Sequence, residues 1–484
     1  MKKVISVLLI LVMVVGLCAC QGGSTGEKEG GFRVGYGRAN VTPSYSVPLS
    51  GYGNTLTRMS QGFLDYIYVT CVAITDENDS TVLIMTSDFI YMNTNMVEPV
   101  RTAITEATGV PAERILMQGT HTHSGPDMSQ GSDPSIIKYK KEYIAGFADA
   151  AKQAMDDRSA ATMATSKVYT EGMNFIRHYT VSDGTVFGDN FGSTANGVLD
   201  GHTSDADNQV QLIRFTRAAE DKKDIIMMNW QAHPKMASTA ETADGQIGRP
   251  MLSADYIGPT RDYVEENADC HFAFYLGAAG NLNAFSKISS ENKTENYREF
   301  GKLLGAYVID GIKEMTPVEG TAVKSTQRIY EAKIDKTEDH LYVDAMKIYE
   351  VWAATNNYSQ SLQAAPDAGI ISPYHAASIV SRHNNNEGVR KIEINAVSVG
   401  NVGFITAPYE MFDMNGMFIK ENSPFETTFV LTCANGSNAY IASDAAFEFN
   451  NGTGSYEVHN RTFVRGTAED LANNYVEMLK ELKG

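Results

Sequence analysis

The sequence predicts a mixed α/β domain in which β-sheets are covered by helices. Residues 66–75 and 81–87 are rich in β-branched and aromatic residues and flank the polar turn Asp76-Glu77-Asn78-Asp79, which indicates a β-hairpin. Residues 136–155 have the spacing and composition of an amphipathic helix. Because strand and helix segments follow one another along the chain, we expect both to build one unit.

In chain order, residues 32–42 predict an opening strand that ends at Thr42-Pro43, and the hairpin follows it. A helix is predicted over 96–108, where Gly109 stops it, and the short apolar strand 115–118 comes next. After the amphipathic helix, apolar runs predict further strands, and helical spacing predicts further helices, the first of them capped by Ser253. These strands cover 225–232, 272–276, 325–334, 391–397, 402–406 and 427–433, and these helices cover 253–266, 297–315, 341–354 and 467–482.

Composition excludes several classes of protein. The chain of 484 residues is 43% hydrophobic and 20% charged, which is ordinary for a globular protein with a large core. Its formal net charge of -18 would repel phosphate backbones, so we expect no nucleic-acid partner. Three widely spaced cysteines, Cys71, Cys270 and Cys433, do not form a disulfide framework, and we expect buried thiols with one bridge at most.

The N-terminus predicts export. Two lysines precede an apolar run that is short for a membrane span, and Leu17-Cys18-Ala19-Cys20 resembles a bacterial lipobox. We expect residues 1–19 to be a lipoprotein signal peptide, with lipidated Cys20 anchoring the protein to the outer face of a bacterial membrane, at the cell surface or in the periplasm. Residues 20–31 are then a flexible tether, and 32–484 the domain. An ordinary signal peptide cut nearby is the alternative.

Histidines follow two of the predicted strands. Strand 115–118 runs into Gly119-Thr120-His121-Thr122-His123, and residues two apart in an extended chain face the same side. His121 and His123 can therefore point into one pocket, where neutral imidazoles suit a divalent metal. Strand 225–232 delivers His233 in the same way, so two strand ends could supply nitrogen ligands to one ion. Simple hydrogen bonding by these histidines is the alternative.

The segment His121-Thr122-His123-Ser124-Gly125-Pro126 resembles the signature of the neutral, non-lysosomal ceramidases, zinc-dependent amidases that cleave the N-acyl bond of ceramide. Further matches follow in the same order along the chain. They are Gly35-Tyr36-Gly37-Arg38-Ala39-Asn40-Val41-Thr42-Pro43, Gly51-Tyr52-Gly53, Ser87-Asp88, Asn229-Trp230-Gln231-Ala232-His233-Pro234, Ser253-Ala254-Asp255-Tyr256, Pro408-Tyr409-Glu410 and Ala439-Tyr440-Ile441. Ceramidases continue into an immunoglobulin-like C-terminal domain, so the resemblance implies that this chain carries the catalytic region without that domain.

The resemblance implies a set of site residues. His121, His233, Glu410 and Tyr440 would hold one Zn²⁺ per chain, and His123 would lie near the scissile carbonyl. Taken alone, Glu410 is equally explained by the first turn of a helix, and Tyr440 is a strand aromatic. Arg177 is the best match to an arginine that reaches the substrate pocket.

Asn283 departs from the family pattern. The segment Gly280-Asn281-Leu282-Asn283-Ala284-Phe285 aligns with a family segment in which serine, the proposed nucleophile, occupies the position of Asn283. An amide cannot act as that nucleophile, although it can donate hydrogen bonds to an oxyanion. A metal-activated water would make the serine unnecessary, because zinc lowers the pKa of bound water to roughly 7.

Two acidic features have competing interpretations. Asp88, at the end of strand 81–87, could orient the metal site or cap the following helix. The stretch from Asp200 to Asp207 is acidic enough for calcium, but its spacing does not fit an EF-hand loop and favours a solvated loop.

The predicted function is hydrolysis of an amide bond in ceramide or a related N-acyl lipid or amine, outside the cytoplasm and with zinc. The alternatives are an esterase of lipid or glycan substrates on the same zinc site, and a surface lipoprotein that keeps the metal but only binds a ligand. The sequence leaves the oligomeric state open.

Overall fold

The structure is a computed structural model, and it describes residues 31–52, 58–189, 195–452 and 454–484. The predicted signal peptide, Cys20 and all but the last residue of the tether lie outside these ranges. The strands are β1 (Phe32–Asn40), β2 (Tyr68–Thr75), β3 (Thr81–Ser87), β4 (Ile115–Gly119), β5 (Ser159–Tyr169), β6 (Phe175–Ile176), β7 (His178–Val181), β8 (Val186–Gly188), β9 (Leu199–His202), β10 (Gln209–Arg217), β11 (Asp224–Trp230), β12 (Cys270–Leu276), β13 (Leu282–Asn283), β14 (Thr316–Pro317), β15 (Val323–Lys333), β16 (Val389–Val399), β17 (Val402–Ala407), β18 (Glu410–Met411), β19 (Thr427–Thr432) and β20 (Tyr440–Ile441). The helices are α1 (Thr94–Thr108), α2 (Pro134–Asp156), α3 (Ile257–Ala268), α4 (Tyr297–Lys313), α5 (Tyr342–Thr355), α6 (Tyr358–Leu362), α7 (Pro373–Asn384), α8 (Asp413–Asn422), α9 (Asp444–Phe447), α10 (Phe449–Gly452), α11 (Tyr456–His459) and α12 (Thr467–Lys483).

The larger sheet is mixed. Its order in the described chain is β12-β11-β10-β5-β1-β2-β3-β4, with β14 beside β5. The predicted hairpin is present, since β2 and β3 pair antiparallel with Val72 opposite Ile84. Most neighbours are antiparallel, whereas β3 with β4 and β11 with β12 are parallel.

A second sheet, in the order β15-β16-β17-β19, packs face to face on the larger one. Side chains from both sheets share one core, for example Val72 and Ile84 of the larger sheet with Phe404 and Phe429 of the second. The neighbours of Val72 in β2, Cys71 and Ala73, point to the opposite face, which is also buried. Burial of both faces explains why the strands read as continuous apolar runs.

Helices cover the outer faces of both sheets. The aromatic side of α2 packs on β1 to β4, and α3 and α4 pack on β10 to β12. On the other side, α12 places Leu471, Tyr475 and Leu479 against the second sheet. The layers are therefore helix, sheet, sheet and helix, which confirms the predicted class of mixed sheets covered by helices.

Several local predictions differ from the structure. Helix α3 begins at Ile257, and Ser253 does not cap it, because the Ser253 hydroxyl donates to Asp65 at 2.6 Å instead. Glu410 lies in the short strand β18 and not in the first turn of α8, which begins at Asp413. The acidic stretch contains β9, and Asp207 at its end is buried and paired with Lys420, so it is not simply a solvated loop.

The three cysteines of the domain are buried and free, as predicted. Among the described helices, none combines the length and the apolar character that crossing a bilayer requires.

Candidate metal centre

Three parallel strand pairs bring the predicted site residues to one edge of the sandwich. β3 pairs with β4, β11 with β12, and β17 with β19, and parallel neighbours end on the same side. His121 follows β4, His233 follows β11 and Glu410 follows β17. Tyr440 joins them because β18 and β20 pair in parallel, with Glu410 opposite Tyr440.

Two buried amides fasten these strand ends across the sandwich. Gln118 donates from Nε2 to the carbonyl oxygens of Leu276 and Thr432, at 2.7 Å each. Asn229 donates from Nδ2 to Tyr275 at 3.0 Å and to Val430 at 3.2 Å. Each amide therefore ties the larger sheet to β19 a few residues before a histidine, which holds the two histidine loops at a fixed separation.

The backbone fixes the orientation of the two histidines that are predicted to bind the metal. His121 Nδ1 lies 2.7 Å from the carbonyl oxygen of Ile90, and His233 Nδ1 lies 2.8 Å from that of Ala279. Because a carbonyl oxygen only accepts, each Nδ1 carries the proton and each neutral ring presents the lone pair of Nε2. His121 has a φ of 69°, a left-handed conformation that costs free energy in a non-glycine residue and aims its ring into the site.

Glu410 faces both lone pairs. Its Oε2 lies 3.2 Å from Nε2 of His121 and 3.2 Å from Nε2 of His233, and no donor in the described chain is aligned for a hydrogen bond to it. Three acceptor atoms at this spacing repel one another unless a cation lies among them. Burial disfavours the charged forms of His121, His233 and Glu410. At His121 the effect of the Glu410 carboxylate outweighs burial and raises the pKa of the imidazole. Without another cation, a proton on His121 takes that place, and its charge holds the pKa of Glu410 well below its usual range.

His123 completes a cluster of three imidazoles. One ring nitrogen from each of His121, His123 and His233 lies within 4.8 Å of the others. Neither ring nitrogen of His123 has a hydrogen-bond partner among the described residues, although the side chain is buried. Burial, reinforced by the neighbouring imidazoles, holds the pKa of His123 well below its usual range. Gly51 makes room for this ring, since a Cβ at Gly51 would lie 2.6 Å from it.

Tyr440 lies at the rim of the cluster, with its hydroxyl 3.4 Å from Nε2 of His233. Burial raises the pKa of this phenol, and the guanidinium of Arg177, 5.1 Å from the ring centroid, acts in the opposite direction. Arg177 is itself buried and donates from Nε to Oε1 of Glu457 at 2.7 Å. The structure therefore places Arg177 beside Tyr440, in an ion pair with Glu457, which also accepts from His178 at 3.0 Å.

Asn283 lies beside the backbone of His233, and the two residues form a β-bridge. Its Nδ2 donates to Oδ2 of Asp189 at 2.8 Å, whereas its Oδ1 is buried without a partner in the described structure. Two lysines flank the same carboxylate, with Lys287 Nζ at 3.4 Å and Lys235 Nζ at 3.9 Å. Burial lowers the pKa of Lys235 to about 8, which still leaves the ammonium predominant at neutral pH.

Asp88 takes neither of the roles considered for it. It accepts from Arg261 at 2.9 and 3.0 Å and from the backbone N–H of Tyr68, and α1 is capped by Asn93. The buried Asp88–Arg261 pair instead fixes the end of β3 against α3. The acidic residues of the stretch from Asp200 to Asp207 belong to no candidate metal group found in the described chain.

A second group of possible ligands lies elsewhere in the fold. Glu338, His375 and His459 bring ligand atoms within 4.8 Å of one another. The charge of Glu338 is already neutralised, because this carboxylate pairs with Arg382 at 2.5 Å and with Arg461 at 3.4 Å. Nε2 of His375 also lies 3.2 Å from Oε1 of Glu338. Two guanidinium groups beside the carboxylate disfavour a further cation, in contrast to the cluster at His121.

Sequence reasoning missed Lys235 and Asp189. Lys235 follows His233 by two residues, so the spacing argument applied to His121 and His123 could have indicated it. Asp189 had no signal, because only the folded chain brings it to Asn283. The ion pair of Glu457 with Arg177 was not predicted either.

Comparison with known proteins agrees with this description. The chain has the fold of a structure described as "Ceramidase complexed with C2", with a TM-score of 0.67 and 15% identity, and of the neutral ceramidase from Pseudomonas aeruginosa, with a TM-score of 0.68 and 16% identity. Each comparison covers 94% of this chain and 75% of the other chain. No curated protein matches the sequence.

A family model matches the N-terminal part of the domain. Residues 32–268 match the model described as "Neutral/alkaline non-lysosomal ceramidase, N-terminal". This segment is therefore similar to the neutral ceramidase family, which confirms the resemblance recognised in the sequence.

Proposed function

We propose that the protein is a zinc-dependent hydrolase that cleaves the N-acyl amide bond of ceramide or of a related N-acyl lipid or amine. Family and fold support a hydrolase of the ceramidase type. The proposal of a zinc-dependent amidase rests on one observation: Oε2 of Glu410 lies 3.2 Å from the Nε2 atoms of both His121 and His233. That arrangement favours a bound cation.

His121, His233, Glu410 and Tyr440 would hold the ion. Two imidazole nitrogens, a carboxylate and a phenol oxygen form a set of N and O donors that suits zinc. When bound, the ion supplies a Lewis acid that polarises a carbonyl and makes water acidic enough to act as a nucleophile near neutral pH.

The other residues supply proton transfer and orientation. His123 has two unengaged ring nitrogens, so it can take a proton from the attacking water and return it to the leaving nitrogen. Arg177 would position Tyr440 and stabilise its ionised form, because its guanidinium lies beside the phenol ring. Asn283 would orient the substrate through the side-chain amide that Asp189 fixes.

We also propose that the protein acts outside the cytoplasm, held at a membrane by lipidated Cys20. This part of the proposal depends on the lipobox-like sequence alone. It agrees with an N-acyl lipid as substrate, since such compounds reside in membranes.

Metal content and hydrolysis should be measured on the same samples of the purified full-length protein. The wild type, His121→Ala and His233→Ala would be compared, with the exposed His340→Ala as the control. We expect about one zinc per wild-type chain and fatty-acid release from ceramide or simpler N-acyl amines, with both lost in the two site variants and kept in the control.

Other outcomes separate the alternatives. A wild-type protein that binds no divalent metal would overturn the proposal. Metal with turnover of esters alone would indicate an esterase, and metal without turnover of amides or esters would indicate a ligand-binding lipoprotein.

A further inference from the structure

We propose that the amine part of the preferred substrate carries a carboxylate, so that the substrate is an N-acyl amino acid, and that Lys235 binds this carboxylate while Asn283 accepts the amide N–H. The inference rests on the proposed amide hydrolysis and specifies the substrate class for the same site.

Lys235 is a nearly buried cation without a hydrogen bond. Its side chain is 16% exposed, and its Nζ lies 3.9 Å from Oδ2 of Asp189, which is beyond hydrogen-bond distance. The Phe285 ring lies 5.4 Å from the same Nζ, and Tyr52 donates to the Lys235 carbonyl at 3.2 Å. Across the described ranges, no acceptor lies within hydrogen-bonding reach of this ammonium, which has three N–H groups to satisfy.

Asp189 cannot satisfy Lys235 alone, because it already has two other partners. Its Oδ2 accepts from Asn283 at 2.8 Å, and its Oδ1 lies 3.4 Å from Nζ of Lys287. One carboxylate therefore faces two ammonium groups. Arg177 does not change this balance, since Glu457 neutralises it. Asp189 and its two lysines therefore carry a net positive charge in a protein whose net charge is -18, and this charge favours an anionic ligand.

Asn283 presents the complementary group. A carboxylate only accepts, so the hydrogen bond to Asp189 fixes Nδ2 towards Asp189 and leaves Oδ1 as a buried acceptor without a partner in the described residues. Asn283 also lies beside the metal-centre loop, because the backbone N–H of His233 donates to the Leu282 carbonyl at 3.0 Å.

An N-acyl amino acid has both a donor for Asn283 and an acceptor for Lys235. Its amide N–H can donate to Oδ1 of Asn283, and its carboxylate, two bonds from the nitrogen, can accept from Nζ of Lys235. The two side chains share Oδ2 of Asp189 as a neighbour, so they lie close enough for one small group to bridge them. A neutral amine part would satisfy Asn283 but offer no acceptor to the partly buried ammonium of Lys235.

Binding of a matched pair of non-hydrolysable ligands tests the inference. N-(dodecylsulfonyl)glycine and N-(dodecylsulfonyl)ethanolamine share the N–H and the chain and differ in the carboxylate. Their affinities for the full-length, zinc-loaded protein would be measured by calorimetry. We expect the glycine compound to bind about tenfold more tightly to the wild type, as a charge-assisted hydrogen bond implies.

The preference is expected to disappear in Lys235→Met, which keeps the length of the side chain without its charge. It is expected to persist in Lys152→Met, where an exposed lysine paired with Asp156 is removed. Equal affinities in the wild type, or a preference that survives in Lys235→Met, would overturn the inference.

These affinities do not depend on turnover, so the two proposals fail separately. If ceramide and N-acylethanolamines are hydrolysed while the sulfonamides bind equally, the carboxylate inference is wrong and amide hydrolysis stands. If the preference is present and depends on Lys235 while no amide is hydrolysed, the anion site stands and the hydrolytic proposal is wrong.

Discussion

Gln118 Nε2 donates a 2.7 Å hydrogen bond to the carbonyl oxygen of Thr432 and so joins β4 of the larger sheet to β19 of the second sheet. The same side chain donates to the Leu276 carbonyl and accepts from the Leu276 N–H at 3.1 Å. Gln118 is fully buried and lies three residues before His121. One amide thus satisfies three buried backbone groups and fixes the relative position of three strand ends at the metal centre.

Replacing this amide should destabilise the whole domain. In Gln118→Leu, two carbonyls and one N–H lose their partner in the core, and each unsatisfied buried group costs about 1–3 kcal/mol. We expect the free energy of unfolding to fall by about 3 kcal/mol or more, measured by urea denaturation of the metal-free protein. Gln363→Leu, at an exposed position, should change it by less than about 0.5 kcal/mol. A similar small change in Gln118→Leu would show that the cross-sheet bonds contribute little.

The order of strands and helices could be predicted because their apolar patterns are local. The predicted hairpin and helix α2 are present nearly to the residue, since β-branched runs and helical spacing are read directly from neighbouring positions. Pairing of the two sheets was not predictable, because both faces of β2 are buried and its sequence does not tell which face meets helices and which meets the second sheet.

The histidines of the site could be indicated from sequence because each directly follows a strand. Glu410 and Tyr440 came only from family resemblance, since 30 residues separate them and their pairing depends on the parallel bridge between β18 and β20. Asp189 acquires its significance from contacts across the fold, where no local pattern marks it, whereas Lys235 is marked only by its spacing of two residues from His233. The ion pair of Arg177 with Glu457 was likewise not predictable, because it joins residues 280 positions apart.

Gly51→Ala should impair hydrolysis by moving His123. Gly51 has a φ of 109°, and an added Cβ would lie 2.6 Å from Cγ and Nδ1 of the His123 ring, so the imidazole must shift. A shift of about 1 Å in a catalytic group can lower kcat/KM by about 100-fold. We expect a loss of that order in a fatty-acid release assay, with zinc content unchanged.

Gly109→Ala is the matched control for this change. Gly109 also has a positive φ, of 75°, but nothing lies within 4 Å of the position its Cβ would take. Both variants therefore carry backbone strain, and only Gly51→Ala disturbs His123. Equal activity in the two variants would contradict a proton-transfer role for His123. Loss of zinc in Gly51→Ala would indicate that His123 is a metal ligand.

Glu457 should contribute to stability in a manner that depends on pH. Burial opposes its ionisation, but the charge of Arg177 and the contact with His178 outweigh burial and hold the pKa of Glu457 well below the usual 4.5. A depressed pKa in the folded state means that the stabilisation is fully present above about pH 4.5 and is lost as the pH falls below that value.

We therefore expect Glu457→Gln to be less stable than the wild type by about 3 kcal/mol at pH 7, because Arg177 loses its buried partner. The difference should narrow between pH 5 and pH 3, measured as urea midpoints with a chelator present so that metal release does not contribute. Glu477→Gln, at an exposed position, should follow the wild type at every pH. A constant difference from pH 7 to pH 3 would show that the ionised form of Glu457 is not the stabilising one.

Zinc itself should stabilise the fold through the first histidine cluster and not the second. Glu410 Oε2 and the Nε2 atoms of His121 and His233 lie close together without a cation among the protein groups, so a bound ion relieves their repulsion. At a free zinc concentration about 100-fold above the dissociation constant, the gain in unfolding free energy is about 2.7 kcal/mol. His233→Ala should lose this gain in urea denaturation with and without zinc. His375→Ala should keep it, because Arg382 and Arg461 already neutralise Glu338 in the second cluster. A gain that survives in His233→Ala and disappears in His375→Ala would assign the ion to the second cluster.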